Sequence, residues 1–453
     1  NVPAGTYNLR ATSIGFTELS ITGVRVAPDF TTDVDFEMTK GADITLEGIE
    51  VGAEKPMIQR DQTGTTRFLD AEDLQNQPVR GYQEAASLQA GVVASAAPLS
   101  LPGGGQLEEA TTDPRLYIRG GRSNETAYFV DGFSQQDPLT GISTANVNQN
   151  AIEQVVVMTG GFDAEYGRIM SGAVNVVTRE GSDRYFGTLE AATDNVIGNA
   201  FGESYDYNLY ALSLGGPVPG VAGLSFLASG ERRWEGDRTP RPIKHLDLTD
   251  EHEKLYEDGR LPNNTLDGYS WQGKFSWSFH PEMKVRLGAM GSRDLWQEYR
   301  HAYLFDISHT PKYEDTNRSF FGTYTHTLSP TLFYEVSGNW FYTERYRGDG
   351  VHFKNLQAYG IPEPGNPQYD PNLPLFYYGD SLRGGHVWDD FLHRESSYIG
   401  GRVDVTDHWS RFHTAKLGME YRRHTLRRYN HLFPVDVYKE LGAYTDADFY
   451  GYS

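Results

Sequence analysis

The chain has 453 residues, with 61 acidic against 40 basic side chains, a net charge of −21 and no cysteine. That charge argues against a nucleic-acid binder, which needs clustered Lys and Arg for phosphates; the missing cysteines exclude disulfide frameworks, thiol nucleophiles and CxxC metal sites. A mean hydropathy of −0.55 and the lack of any apolar run of about 18 residues exclude a transmembrane helix, but leave open a transmembrane β-barrel, whose strands alternate apolar and polar residues.

The opening NVPAGTYNLRATSIGF carries no initiator Met, charged n-region or apolar h-region and already reads as strand, so the chain is expected to begin partway through a domain. Residues 5–39 form short β runs (TYNLRATSIGF, ITGVRVAP, TTDVDFEMT) punctuated by Pro3, Gly5 and Pro28. Tyr7, Leu9 and Ala11 share one parity; Val34, Phe36 and Met38 share another run's. Residues 1–41 are therefore expected to be a small β-sandwich fragment, and 42–62 a mixed polar linker whose apolar patch is Ile49 and Val51. Over 63–182 the pattern becomes that of a compact α+β domain. A helix is expected over 82–89, stopped by Gly91, then a loop of Gly, Pro and small residues over 94–106. Strands follow over 116–119, 127–130, 153–158 and 173–178.

From Tyr185 onward the pattern is strictly β. Tyr269, Trp271, Phe275, Trp277 and Phe279 lie on one parity, and Ser270, Gln272, Lys274, Ser276 and Ser278 on the other. Leu332, Tyr334, Val336, Trp340 and Tyr342 repeat the alternation. Nine such segments lie near 185–193, 205–214, 223–233, 269–279, 283–295, 318–328, 332–346, 397–406 and 413–424. Short polar turns alternate with long connections over 194–204, 235–268, 297–317 and 348–396. A run of about ten residues at ~3.3 Å each, tilted ~45°, projects roughly 23 Å, the height of an outer-membrane barrel's apolar band. A soluble sandwich or propeller is the competing reading, but its strands are usually nearer five or six residues. The fold class is thus mainly β: a transmembrane antiparallel barrel over 183–453 behind an α+β domain.

Three blocks then resemble a known family: RLYIRGGRSNETAYFVDGF (115–133), AIEQVVVMTGGFDAEYGRIMSGAVNVVTREG (151–181) and the LGGPVPG turn (214–220). They look like the plug and barrel of a TonB-dependent outer-membrane receptor, in the Oar-like group whose members also carry a carboxypeptidase regulatory-like domain. Residues 1–41 resemble the second half of that domain. The resemblance implies a plug over 63–182 and a barrel of roughly 22 strands. With nine in view, roughly 13 would lie beyond this sequence, which is expected to be a fragment at both ends, since an open sheet edge cannot face lipid.

The family places its energising segment, the TonB box, between small domain and plug. Here Leu46, Glu47, Gly48, Ile49, Glu50, Val51, Gly52 and Ala53 resemble it. An extended alternating peptide there can add as a strand to a partner's sheet and carry a pull; a plain linker strand is the bland alternative. The plug motif residues are Arg119, Gly120, Gly121, Arg122, Asp131, Gly132, Glu165, Tyr166, Gly167 and Arg168. The glycines read as tight turns. The resemblance implies that Arg119, Arg122, Glu165 and Arg168 help dock the plug to barrel-wall charges; solvated surface charge is the alternative.

Catalytic constellations are missing. His252-Glu253 begins HExxH but position 256 is Tyr, and there is neither a phosphate-binding GxxxxGK[ST] nor a GxSxG elbow. No enzyme activity and no cofactor are expected. All 13 histidines follow position 244, several of them in the long connections (His245, His252, His301, His309, His352, His386, His393). A metal or metal-chelate site is one reading there, but scattered loop histidines are more often incidental, and no metal ligands are assigned. The 348–396 connection holds Phe353, Tyr359, Tyr369, Phe376, Tyr377, Tyr378 and Trp388 among five prolines. Stiffened aromatics suit sugar faces or peptide side chains; a loop packed on itself is the equal alternative. The expected function is TonB-dependent transport or reception of an unidentified peptide or glycan at the Gram-negative outer membrane. Its implied partners are a TonB-type energising protein, membrane lipid and, in some receptors of this kind, a surface lipoprotein lid. A structural, adhesion or secretion-linked barrel is the alternative.

Overall fold

The computed structural model describes residues 5–14, 16, 18–26, 34, 36–38, 49–52, 65–95, 110–162, 167, 169–195, 204–238, 260–300, 307–359, 388, 390–410 and 413–432. Among them no helix is long and apolar enough to cross a membrane. The chain divides into two compact units, one of residues 1–94, 116–134 and 151–180, the other of 95–115, 135–150 and 181–453.

The first unit holds two sheets. In the small one, β1 (Gly5–Ala11) pairs antiparallel with β2 (Leu19–Val26), and β2 pairs parallel with β3 (Ile49–Gly52). Tyr7, Leu9 and Ala11 do share the less exposed parity, with Asn8 and Arg10 outward. The expected strand in TTDVDFEMT does not form at its described residues, Val34 and 36–38. The third strand comes instead from the linker. Parallel pairing needs a crossover of a dozen or more residues, and the chain between Val26 and Ile49 supplies it, whereas a run directly after β2 could only have hairpinned back.

The larger sheet has the order β4 (Thr66–Asp70), β9 (Ile152–Met158), β10 (Gly172–Thr178), β7 (Thr126–Val130), β8 (Phe133–Ser134). β9 and β10 read IEQVVVM and GAVNVVT, nearly continuous apolar runs, because both faces of these central strands are covered. Ala127, Val156, Met158 and Ala173 form the core cluster, with Phe68 and Phe129 packed on it. Glu153 is the charged exception on β9. Burial pushes its carboxyl up, against the pull of Arg179 at 3.6 Å.

Helix α1 (Ala71–Asn76) starts at a capping box in which Asp70 N–H donates to Asp73 Oδ2 at 3.1 Å. Helix α2 (Tyr82–Ser87) ends two residues before the expected 89. There the chain tightens into i→i+3 bonds, Gln89 N–H to Ala86 O and Val92 N–H to Gln89 O, both 3.1 Å, before Gly91 turns left-handed at φ +85°. A two-stranded ladder of β5 (Val92–Ser95) and β6 (Arg115–Ile118) completes the set.

The second unit is a nine-stranded antiparallel sheet in sequence order. Its strands are β11 (Phe186–Thr193), β12 (Asn208–Pro217), β13 (Leu224–Glu235), β14 (Leu266–His280), β15 (Met283–Gln297), β16 (Lys312–Thr327), β17 (Leu332–Gly348), β18 (Asp390–Ser410) and β19 (His413–Leu432). All nine expected segments are strands. They lengthen from 8 residues in β11 to 21 in β18. Their turns are short at one end and long at the other.

The alternation seen in the sequence becomes a two-faced wall. Ser270, Gln272, Lys274 and Ser276 of β14 are buried, while Tyr269, Trp271, Phe275 and Trp277 are exposed. Aromatics on the outward face cover cross-strand glycines: Trp271 pairs with Gly291, where an added Cβ would come within 2.8 Å of the indole Nε1. A depression of about 650 Å³ on that face is walled by Phe275, Leu287, Phe320, Trp340 and Ile399.

Candidate functional site

The inward face of the wall is occupied by two segments of its own unit, residues 110–115 and 135–150. The second, QQDPLTGISTANVNQN, is short of apolar bulk and rich in amides and hydroxyls, and its bonds follow from that. Asn148 Nδ2 donates to Ser229 Oγ at 2.7 Å and Gly230 O at 3.3 Å. Asn150 Nδ2 donates to Glu190 Oε2 at 2.7 Å, and Asn317 Nδ2 to Thr144 O at 2.8 Å and Ser292 Oγ at 3.2 Å. Gln135 Nε2 reaches Ser319 Oγ at 3.4 Å. All but the bond to the Glu190 carboxylate are between neutral groups. Each such neutral bond is worth about 1 kcal/mol net, and each buried group would cost more if left unpaired.

Two arginines of the wall fix the ends of this layer. Arg394 Nε lies 2.7 Å from Asp137 Oδ2, both side chains 5% exposed. Asp137 also accepts from Leu139 N–H at 2.9 Å and Thr140 Oγ1 at 3.0 Å, so one carboxylate closes its own turn and takes the wall's cation. Arg345 grips Asp315 through Nε (2.5 Å) and Nη2 (2.7 Å), and its Nη1 donates to Ala110 O at 2.9 Å. Trp296 Nε1 donates to the same Asp315 at 3.0 Å and stacks on Tyr313 with centroids 3.8 Å apart; Ala110 packs into this cluster. A planar guanidinium with five donors can satisfy a carboxylate and a carbonyl together, which Lys cannot.

The plug motifs are turn architecture. Arg119 (φ 51°) and Gly120 (φ +76°) lie in the left-handed region directly after β6, so the strand ends at Ile118 and not at 119. Arg119 Nη2 donates to Thr65 Oγ1 at 2.9 Å, and its guanidinium fills the space where a Cβ on Gly160 would sit, 2.6 Å from Nη1. A Cβ on Gly121 would lie 2.4 Å from Ser171 Cβ. Arg122 N–H donates to Glu125 Oε2 at 3.0 Å. Asp131 (φ 50°) precedes Gly132 (φ +83°) and ties β7's end to β10, accepting from Thr178 N–H at 2.9 Å and Oγ1 at 2.7 Å. Gly167 is in a turn, and Glu165, Tyr166 and Arg168 lie outside the described residues.

Residues 58–174 match the family model of the TonB-dependent receptor plug domain. Residues 58–174 are thus a plug domain of the TonB-dependent receptor kind, which marks a protein of the Gram-negative outer membrane. Over 74 residues the chain is 38% identical to the TonB-dependent transporter Oar of Myxococcus xanthus, covering 16% of this chain and 7% of that one. In fold it resembles the siderophore receptor PirA of Acinetobacter baumannii (TM-score 0.54, 15% identity, 80% of this chain and 48% of that one). It also resembles the ferripyoverdine receptor of Pseudomonas aeruginosa (TM-score 0.56, 11% identity, 82% and 44%) and the copper transporter OprC (TM-score 0.55, 10% identity, 85% and 48%). The chain thus spans about half the length of these solved relatives.

Of the 46–53 segment expected as the box, Ile49–Gly52 is strand β3; Leu46, Glu47, Gly48 and Ala53 lie outside the described residues. Of the loop aromatics, Tyr359 is fully buried with Leu356 and Phe391, its hydroxyl donating to Phe353 O at 2.8 Å and accepting from Asp349 N–H at 2.7 Å. It is loop core, not a ligand surface. Phe353 stands between Lys312 and Lys354, whose Nζ atoms lie 5.4 and 5.5 Å from its ring, and Trp388 carries the Arg300 guanidinium at 4.5 Å. Tyr369, Phe376, Tyr377 and Tyr378 lie outside the described residues.

The sequence reading missed Arg345, Asp315, Arg394 and Asp137. One signal was present: Arg345 shares its parity with the buried Phe341 and Thr343, and Arg394 with Leu392 and Ser396, where an unpaired cation would be costly.

Proposed function

We propose that this receptor carries an extracellular peptide or glycan across the outer membrane by TonB-dependent active transport. The match of 58–174 to the plug family carries the reading. The ligand would bind among the long connections and the 135–150 layer. A TonB-type energising protein would take the 46–53 segment as an added strand and pull on the plug. The amide- and hydroxyl-rich layer over the inward wall suits such a step, because water can replace those partners bond for bond. Stiff aromatic sequence over 348–396 favours a sugar or peptide ligand over a small inorganic one. The proteins of like fold are described as siderophore receptors and a copper transporter; at 10–15% identity that likeness speaks to fold alone.

The test is deletion of residues 46–53 in the full-length receptor, in cells whose growth on a peptide or glycan nutrient depends on it. Growth should stop while surface binding of that nutrient persists. Lost binding, or growth unaffected, would overturn the assignment of the box.

A further inference from the structure

Two turns at the long-connection end of the barrel unit meet around His309, Asp349 and His352. The first is the 3₁₀ turn Ile307–His309, which leads into β16; the second follows β17 directly. They are joined closely. A Cβ on Gly350 would fall 2.0 Å from Ser308 O and 2.7 Å from Thr310 O, so only glycine lets the second turn reach the first. Gln297 Nε2 clamps the same place, donating to Thr310 O at 3.1 Å and Ser308 O at 3.3 Å. Beneath lie Tyr359 and Leu356, both buried.

Into this joint project two imidazoles and a carboxylate. The His309 and Asp349 side chains are 2% and 0% exposed, His352 is partly buried, and one ligand atom from each lies within 4.8 Å of the others. His309 Nδ1 is 2.8 Å from Asp349 Oδ1 and 2.9 Å from Oδ2. Asp349 is itself held by Val351 N–H (3.0 Å), His352 N–H (2.9 Å) and Trp388 N–H (3.1 Å). A carboxylate fixed by backbone donors is the outer support that metal sites use to hold a ligand in place.

We propose that His309, Asp349 and His352 bind a divalent transition metal of the zinc class, which staples the turn before β16 to the turn after β17. Two imidazoles and one carboxylate, with water as fourth ligand, match the donor preference of that class. Ligands at about 2.1 Å from a tetrahedral ion lie roughly 3.4 Å apart, so the His309–Asp349 pair need open by only about half an ångström. The ion would fix the base of the aromatic 348–396 connection from both ends, since Asp349 also receives Trp388. A second group, Glu344, His393 and Glu395, has a similar donor count. It is half-exposed and has Arg427 3.3 Å from Glu395, a protein cation where an ion would sit. The inference is independent of what the receptor transports.

The test uses the full-length receptor in detergent, stripped with a chelator and titrated with Co²⁺. We expect about one equivalent to give visible bands of tetrahedral intensity, displaced by Zn²⁺. His352→Gln should weaken binding by at least about tenfold, as should Asp349→Asn, and His393→Gln should leave it unchanged. Zn²⁺ should also slow proteolysis between 348 and 396 in the wild type and not in His352→Gln. His352 is partly exposed, so its variant keeps the fold even if Asp349→Asn does not; barrel integrity is checked by the heat-dependent gel shift. Absence of Co²⁺ bands in the reconstituted wild type, or bands that survive His352→Gln, would overturn the proposal.

Discussion

On β14 the outward side chains Tyr269, Trp271, Phe275 and Trp277 are between 40% and 53% exposed, while their neighbours Ser270, Gln272, Lys274 and Ser276 are buried at 7% or less. One strand therefore serves two solvents. The outward face needs no partners: an apolar surface is already satisfied by hydrocarbon. Polar groups on the inward face call for specific partners, and Asn148, Asn150, Thr144 and Gln135 provide them for Ser229, Glu190, Asn317 and Ser319 of other strands of the wall. Outward substitutions should therefore be judged by transfer energy, and inward ones by what is left unpaired.

The largest break in that contrast should come from Arg345→Ala. It strands Asp315 and Ala110 O in a buried site, and removing one partner of a buried pair costs about 3–5 kcal/mol. Thermal unfolding in detergent should show it. The paired replacement Arg345→Met with Asp315→Leu should recover most of the loss, because it leaves no orphaned charge. Equal losses in the single and double variants would show that the site is held by packing instead. Next, Phe275→Arg on the outward face should cost about 2–4 kcal/mol near mid-membrane, measured by folding into lipid vesicles. Its cross-strand partner is Leu287, so no acidic neighbour softens the charge. Smallest should be Asn148→Ala, at about 0.5–1.5 kcal/mol. It would appear less in global unfolding than as faster amide exchange over 141–150.

The nine strands could be read from sequence because the outward parity is written in aromatics. The inward layer could not. A serine facing Asn148 and a serine facing water look alike, and the partners lie far apart in the chain: 81 positions for Asn148 and Ser229, 184 for Gln135 and Ser319. β16 was expected from 318 and begins at Lys312. KYEDTN looks like loop because its charges hide the alternation, yet Asp315 is there to receive Arg345. The plug motifs were legible as glycine turns, and Gly120, Gly121 and Gly132 are in such turns. Arg119 and Asp131, both left-handed without being glycine, were legible as charges but not as hinges. The His309 cluster is carried by two turns 40 positions apart, which spacing rules for metal motifs do not sample.

The short parallel ladder of β2 and β3 bears on how a transport cycle would start. Only four residue pairs, Leu19 with Ile49 through Thr22 with Gly52, hold the strand in place. Under the proposed function, the energising protein would meet its peptide already engaged with another sheet, so capture is a strand exchange and not a simple association. The rate of engagement would then be set by how often β3 detaches. Mutations in β2, a strand that touches neither ligand nor energiser in this scheme, would tune that rate without changing the affinity of the freed peptide.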